Sequence, residues 1–371
     1  MIGYRIREEL PDSALELEKA QAVIKYVVKR AVMEMTPWII VDGIIRKTVQ
    51  EYTDKLEDQE LKAKAINSLL AFATVQYRKM QEELSPLNLL LFSAFLTLSD
   101  KESSEYAKSR AETIIQQRAP SLVQRVAATP EYIESAQPLR MFSQDYIKQV
   151  ESAWRDLANS EAKDSYSDRV SLRNVAEMSE RYKKKQEEIT DLIESGKDLV
   201  WISTHANCSE RCQPYQGRLY SMRGRTGEID GVKFVPLSTA TDVYVTTKSG
   251  KTYKNGCISG FNCRHTLTPY RKGNKPIEVS AKTIETYRKI EETQRAMERE
   301  IREKRALSIG LRGLNDAQAK ALRKESNALF DKYAAFCKKN NVAYYPARCR
   351  VFDGEELISP KYKTILDSYK K

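Results

Sequence analysis

Two short stretches of this 371-residue chain hold most of the side chains able to bind a metal or act as nucleophiles. The first, "THANCSERCQPYQG", spaces His205, Cys208 and Cys212 as H-x2-C-x3-C. The second, "CISGFNCRH", follows Cys212 after 44 intervening residues and spaces Cys257, Cys263 and His265 as C-x5-C-x-H. The chain has only two histidines and six cysteines, so both histidines and four cysteines fall within 61 residues. Thiolate sulfur and imidazole nitrogen are ligands that zinc prefers, four of them forming a tetrahedron at about 2.0 to 2.3 Å. The spacing predicts a structural zinc site from Cys208 and Cys212 on one loop and Cys263 and His265 on another, with His205 and Cys257 as alternates. Two other readings stand beside it: buried thiols that bind nothing, or disulfides in an oxidising environment. Cys337 and Cys349 fall in helical or irregular context and read as core.

Catalysis by the same cluster is the weaker expectation. Zinc deaminases need a glutamate beside the histidine and a later Pro-Cys-x2-Cys. Here Ala206 and Asn207 follow His205, and Gln213 and Pro214 follow Cys212. A Cys-His nucleophile pair needs a third group to orient it, and Asn262 is the candidate. The expected role is therefore non-enzymatic, the alternative being a metal-dependent hydrolase or nuclease acting on nucleic acid.

These loops need elements to hold them. From Ser13 to Ser195 apolar residues recur at helical spacing, as in Leu17, Ala20, Ile24, Val27, Val28, Ala31 and Met35, with Ser13 as N-cap. A second helix is expected to end before Pro86, a short apolar one to cover Leu87 to Leu98, and Asp100 to cap the next. Two long helices follow, the second closed by Gly196. At Asp198 the pattern changes. "LVWIST" and "VKFVPL" read as strands, and "DVYVTTKSGKTYKNG" as two strands around a Ser-Gly turn. Helical spacing returns after Pro276, and "VAYYPARCRVF" leaves room for a short strand. The expected fold is mainly α with a small α+β module. Residues 1–140 form a helical N-terminal domain, 141–197 connecting long helices, 198–275 the Cys/His module and 276–371 a basic helical segment packing on it.

Composition sets limits. The most apolar window, Leu84 to Ser99, is broken by Pro86 and Asn88 and is shorter than the roughly 18 to 20 residues that span a bilayer, so no membrane anchor is expected. Acids within the first ten residues argue against a secretory signal and for a cytosolic protein. Net charge is +11, distributed as −4 over residues 1–200, +5 over 201–270 and +10 over 271–371. A basic end of this kind suits a polyanion such as double-stranded DNA, or is a set of solvated helix faces. Arg169, Arg173, Glu177 and Arg181 recur every four residues, which predicts one helix face for a partner or a self-paired stripe. Arg302, Lys304 and Arg305 extend the basic candidate surface.

The residues "ISTHANCSERCQPYQGRLYS" and "GFNCRHTLTPY", with "LRNVAE" upstream and "TQRAMEREIREKR" and "ARCRVF" downstream, resemble the signature of the phage minor capsid protein 2 family, relatives of Mu-type head morphogenesis proteins. Carried over residue by residue, the marked positions are His205, Asn207, Cys208, Cys212, Gln216, Gly217, Asn262, Cys263, Arg264 and His265. The resemblance implies a minor structural component of a tailed-phage head, located in the virion at the capsid interior or portal vertex and in host cytoplasm during assembly. It implies partnership with the portal, major capsid or scaffold protein and a role in assembly, DNA packaging or ejection.

Overall fold

The computed structural model describes residues 10–33, 36–99, 104–106, 108–109, 144–165, 167–241, 244–246, 252–254, 258–260, 263–312 and 315–368. Helices dominate, and a small sheet interrupts them: the fold is mainly α with a small α+β module. The chain divides into two compact units, each assembled from separate stretches. One is built mainly from Asn174–Arg299 and Phe330–Cys349, the other from Asp12–Arg173, Glu300–Leu329 and Arg350–Lys371.

The second of these units is helical. Helices α1 (Asp12–Met33), α2 (Trp38–Thr53), α3 (Gln59–Ser99) and α4 (Gln144–Asn159) pack with the short C-terminal helices. The α1 stripe of Leu17, Ala20, Ile24, Val27, Val28 and Ala31 is buried, as helical spacing requires of a core-facing side. Helix α1 begins at Asp12, so Ser13 lies in its first turn rather than capping it. Met35 and Asp100 fall outside the described residues. Helix α3 runs unbroken through Pro86, where the sequence predicted a break. Proline lacks an N–H but its fixed φ is helical, so flanking turns can carry one through at the loss of a hydrogen bond. The strands β1 (Lys163–Asp164) and β2 (Ser167–Ser171) pair antiparallel just before helix α5 (Leu172–Glu194). Arg169 therefore lies on a strand, and the predicted four-residue helical row starts at Arg173.

The other unit contains a five-stranded sheet, in the order β5 (Gly227–Ile229), β6 (Val232–Pro236), β4 (Leu219–Ser221), β3 (Leu199–Ile202), β9 (Leu267–Pro269). Strands β4 and β6 are parallel and the other pairs antiparallel. Strands β5 and β6 are joined by Asp230 and Gly231, both at positive φ, the backbone a two-residue hairpin loop demands and Asp-Gly supplies. The expected hairpin forms a sheet of its own from β7 (Tyr244–Thr246) and β8 (Thr252–Lys254), with helix α6 (Ser238–Thr241) before it. One face of the main sheet buries Val200, Ile202, Tyr220 and Leu267 in a core that also takes Ile258 and the cluster cysteines, with Ile189 and Leu192 of α5 against it. The other face holds Trp201, Leu219 and Phe234.

Helices α7 (Ala281–Gly310) and α8 (Asp316–Lys339) follow, then a 3-10 turn at Pro346–Cys349, where the sequence left room for a strand, and helices α9 (Gly354–Leu357) and α10 (Pro360–Asp367). Among the described residues no helix is long and apolar enough to cross a membrane.

Candidate Cys/His site

Strand register brings the two motif stretches together. Ile202 of β3 faces Leu267 of β9, while Trp201 faces Leu219 of β4. The end of β3 and the starts of β4 and β9 therefore lie side by side. The ladder continues one step further: the Ser203 N–H donates to Thr266 O at 3.0 Å, and the Gly217 N–H to Ile202 O at 3.0 Å. From this edge leave the loop carrying Cys208 and Cys212 and the segment carrying Cys263 and His265.

The first loop folds as successive turns. The N–H groups of Cys212 and Gln213 donate to Ser209 O, and those of Tyr215 and Gln216 to Cys212 O. Gly217 closes it at φ +70°, where a Cβ would meet Thr204 Cγ2 at 2.8 Å. Glycine is needed there twice over, for the left-handed backbone and for the close approach.

Cys212, Cys263 and His265 are buried, and one ligand atom from each lies within 4.8 Å of the other two. Cys263 Sγ is 3.4 Å from His265 Nδ1. Cys208, also buried, stands outside this triad, its Sγ 3.5 Å from Nε2 on the opposite edge of the ring. Gln216 fixes which nitrogen carries the proton. Its Oε1 accepts the His205 N–H at 2.9 Å, so that atom is the amide oxygen, and His265 Nε2 at 3.2 Å donates to it. The Nδ1 lone pair is left facing Cys263. His205 is otherwise engaged: its Nε2 is 2.9 Å from Ser203 Oγ, which itself accepts the Thr266 N–H at 2.9 Å. The two imidazoles meet edge to face at 4.7 Å.

Burial, with His265 beside it, pushes the His205 imidazole down to about 4. Burial likewise pushes the Cys208 thiol up to about 11. Its hydrogen bond with Cys212, and then burial, push the Cys263 thiol up to about 12. Thiols held protonated in apolar surroundings are poor nucleophiles.

Helix α7 clamps both stretches. Glu291 accepts the Asn207 amide at 2.9 Å and the Arg264 guanidinium at 3.1 Å, one from each stretch. Burial works to raise its carboxyl, but Arg264, Asn207 and Arg295 overcome this and hold it below the usual range. Three residues earlier, Arg288 donates to the Cys208 carbonyl at 2.8 Å and to Gln213 Oε1 at 3.1 Å. Sequence reasoning passed over Arg288 and Glu291. Their signal was the spacing of Arg288, Glu291, Arg295 and Glu298, which sets polar groups along one helix face.

Cys257 and Asn262 lie outside the described residues, and of Arg169 only the strand backbone is described. The predicted basic residues pair within the fold. Arg173 meets Glu18 at 2.9 Å, Arg181 lies 3.9 Å from Glu177, Arg302 is 3.5 Å from Glu161 and Lys304 is 2.7 Å from Glu325. Arg305 lines an open groove with Arg312, Lys320 and Arg323.

Residues 164–337 match the family model described as phage minor capsid protein 2. No curated protein and no solved structure matches the chain.

Proposed function

Residues 164–337 belong to the phage minor capsid protein 2 family, and from that premise we propose that the chain works at the capsid interior or portal vertex of a tailed-phage head. The family carries a structural phage role, and its match to the stretch containing the Cys/His site is the observation on which this reading rests. The way the motif residues are used supports it. Asn207 and Arg264 are spent on Glu291, Gln216 on the two histidines, and Gly217 on a tight turn. Each braces the module, as suits a scaffold piece. The expected partners are the portal, major capsid or scaffold protein, with packaged double-stranded DNA as a further contact for the basic C-terminal third. The test is mass spectrometry of purified virions and precursor heads, with a deletion of the gene alongside. The chain is expected in both particles, and the deletion is expected to lower the yield of DNA-filled heads. Absence of the chain from both particles would overturn the proposal.

A further inference from the structure

We propose that Cys212, Cys263 and Nδ1 of His265 bind one divalent ion of the zinc class, and that this ion ties the loop after β3 to the segment before β9. The proposal stands on the geometry of the module and does not depend on the role in the phage head. In a tetrahedral site with metal–sulfur and metal–nitrogen bonds of about 2.3 and 2.0 Å, neighbouring sulfur and nitrogen ligands end up roughly 3.5 Å apart. Cys263 Sγ and His265 Nδ1 are 3.4 Å apart, and Cys212 completes a group whose ligand atoms lie within 4.8 Å of one another.

The surroundings of the imidazole point the same way. Histidines that ligate metals commonly donate their other ring N–H to an oxygen that fixes the tautomer. Gln216 Oε1 takes that position on Nε2 and is itself held by the His205 N–H. Nδ1 thus turns its unprotonated edge toward the thiols, with Cys263 Sγ at 3.4 Å. His205 is committed to Ser203 and does not compete.

Donor softness selects the ion. Thiolates with an imidazole favour zinc over magnesium or calcium, which take oxygen ligands. Cys208 touches the other edge of the ring, at Nε2, and stays outside the ligand group while sharing its buried cluster. The two thiolates neutralise a divalent ion. As each sulfur–metal bond forms, its thiol proton passes to solvent; the imidazole binds through Nδ1 with no change in protonation.

The experiment uses the full chain, purified without a polyhistidine tag or chelator. Elemental analysis is expected to find one equivalent of zinc. Cobalt(II) in its place is expected to show thiolate charge-transfer absorption, which Cys212→Ser and Cys263→Ser abolish and Cys337→Ala retains. Because the serine variants can fail to fold, the wild-type chain supplies an independent readout. Stripping the ion is expected to expose Cys212 and Cys263 to alkylation and lower the unfolding temperature, and added zinc to reverse both. Full zinc content in Cys263→Ser would overturn the site, as would metal-free wild-type protein with these thiols free or oxidised to a disulfide. None of these outcomes bears on whether the chain is found in virions.

Discussion

At Gly217 a single hydrogen atom decides whether the loop can close. The residue sits at φ +70° with Thr204 Cγ2 in the space a methyl group would take. The left-handed backbone alone costs an L-residue about 1–2 kcal/mol, and forced contact adds to it. Gly217→Ala is therefore expected to lower stability by about 2–3 kcal/mol, read from the denaturation midpoint; an unchanged midpoint would refute the account. At this scale the sequence was legible for donor type and spacing, since Cys212, Cys263 and His265 do converge. The division of the ring between Cys263 on Nδ1 and Cys208 on Nε2 was not legible. It depends on the offset between β3 and β9 and on the amide of Gln216, which no spacing rule encodes.

Among the elements, helix α1 carries cations on flanks that its apolar stripe draws inward. Lys25 Nζ donates to the Ala158 carbonyl at 2.9 Å, and burial pushes its pKa down to about 8. An unfolded lysine titrates near 10.5. Between those values the unfolded chain keeps a proton that the folded chain has shed, so this residue makes stability rise with pH across the window. The difference in unfolding temperature, wild type minus Lys25→Met, is expected to grow from pH 8 to pH 10.5, and a flat difference would exclude the effect. Element type was readable wherever periodicity ran long or β-branched residues clustered, as in α1, β3 and β6. Strands β4 and β9 are three residues each and gain their identity from pairing with β3, so local pattern could not announce them. The β5–β6 hairpin did leave a sign, Asp230-Gly231.

At the scale of the molecule, each compact unit draws on stretches far apart in the chain. Composition changes along the sequence mark the β module but not the returning stretch Phe330–Cys349. That stretch is bound to the rest of its unit by buried polar contacts. Tyr333 donates to Glu298 at 2.7 Å, Gln294 donates to Ala343 O at 2.7 Å and Arg348 lies 3.5 Å from Glu177, while within the stretch Tyr333 accepts the Tyr345 N–H at 3.2 Å. A buried polar group stripped of its partner costs about 1–3 kcal/mol. A fragment ending at residue 337, the limit of the family match, loses the Tyr345, Ala343 and Arg348 contacts together. It is expected to be cleaved by trypsin under conditions that the full chain resists, and equal resistance would show that these contacts are dispensable.

The pairing of β3 with β9 also has a consequence in time. Ile202 waits for Leu267, 65 residues later, and a ribosome adding about 5–20 residues per second takes roughly 3–13 s to make that length. During synthesis Cys208 and Cys212 thus emerge well before the strand that brings Cys263 and His265 beside them, and for those seconds a nascent chain offers its first thiols to any oxidant or stray ion in the cell.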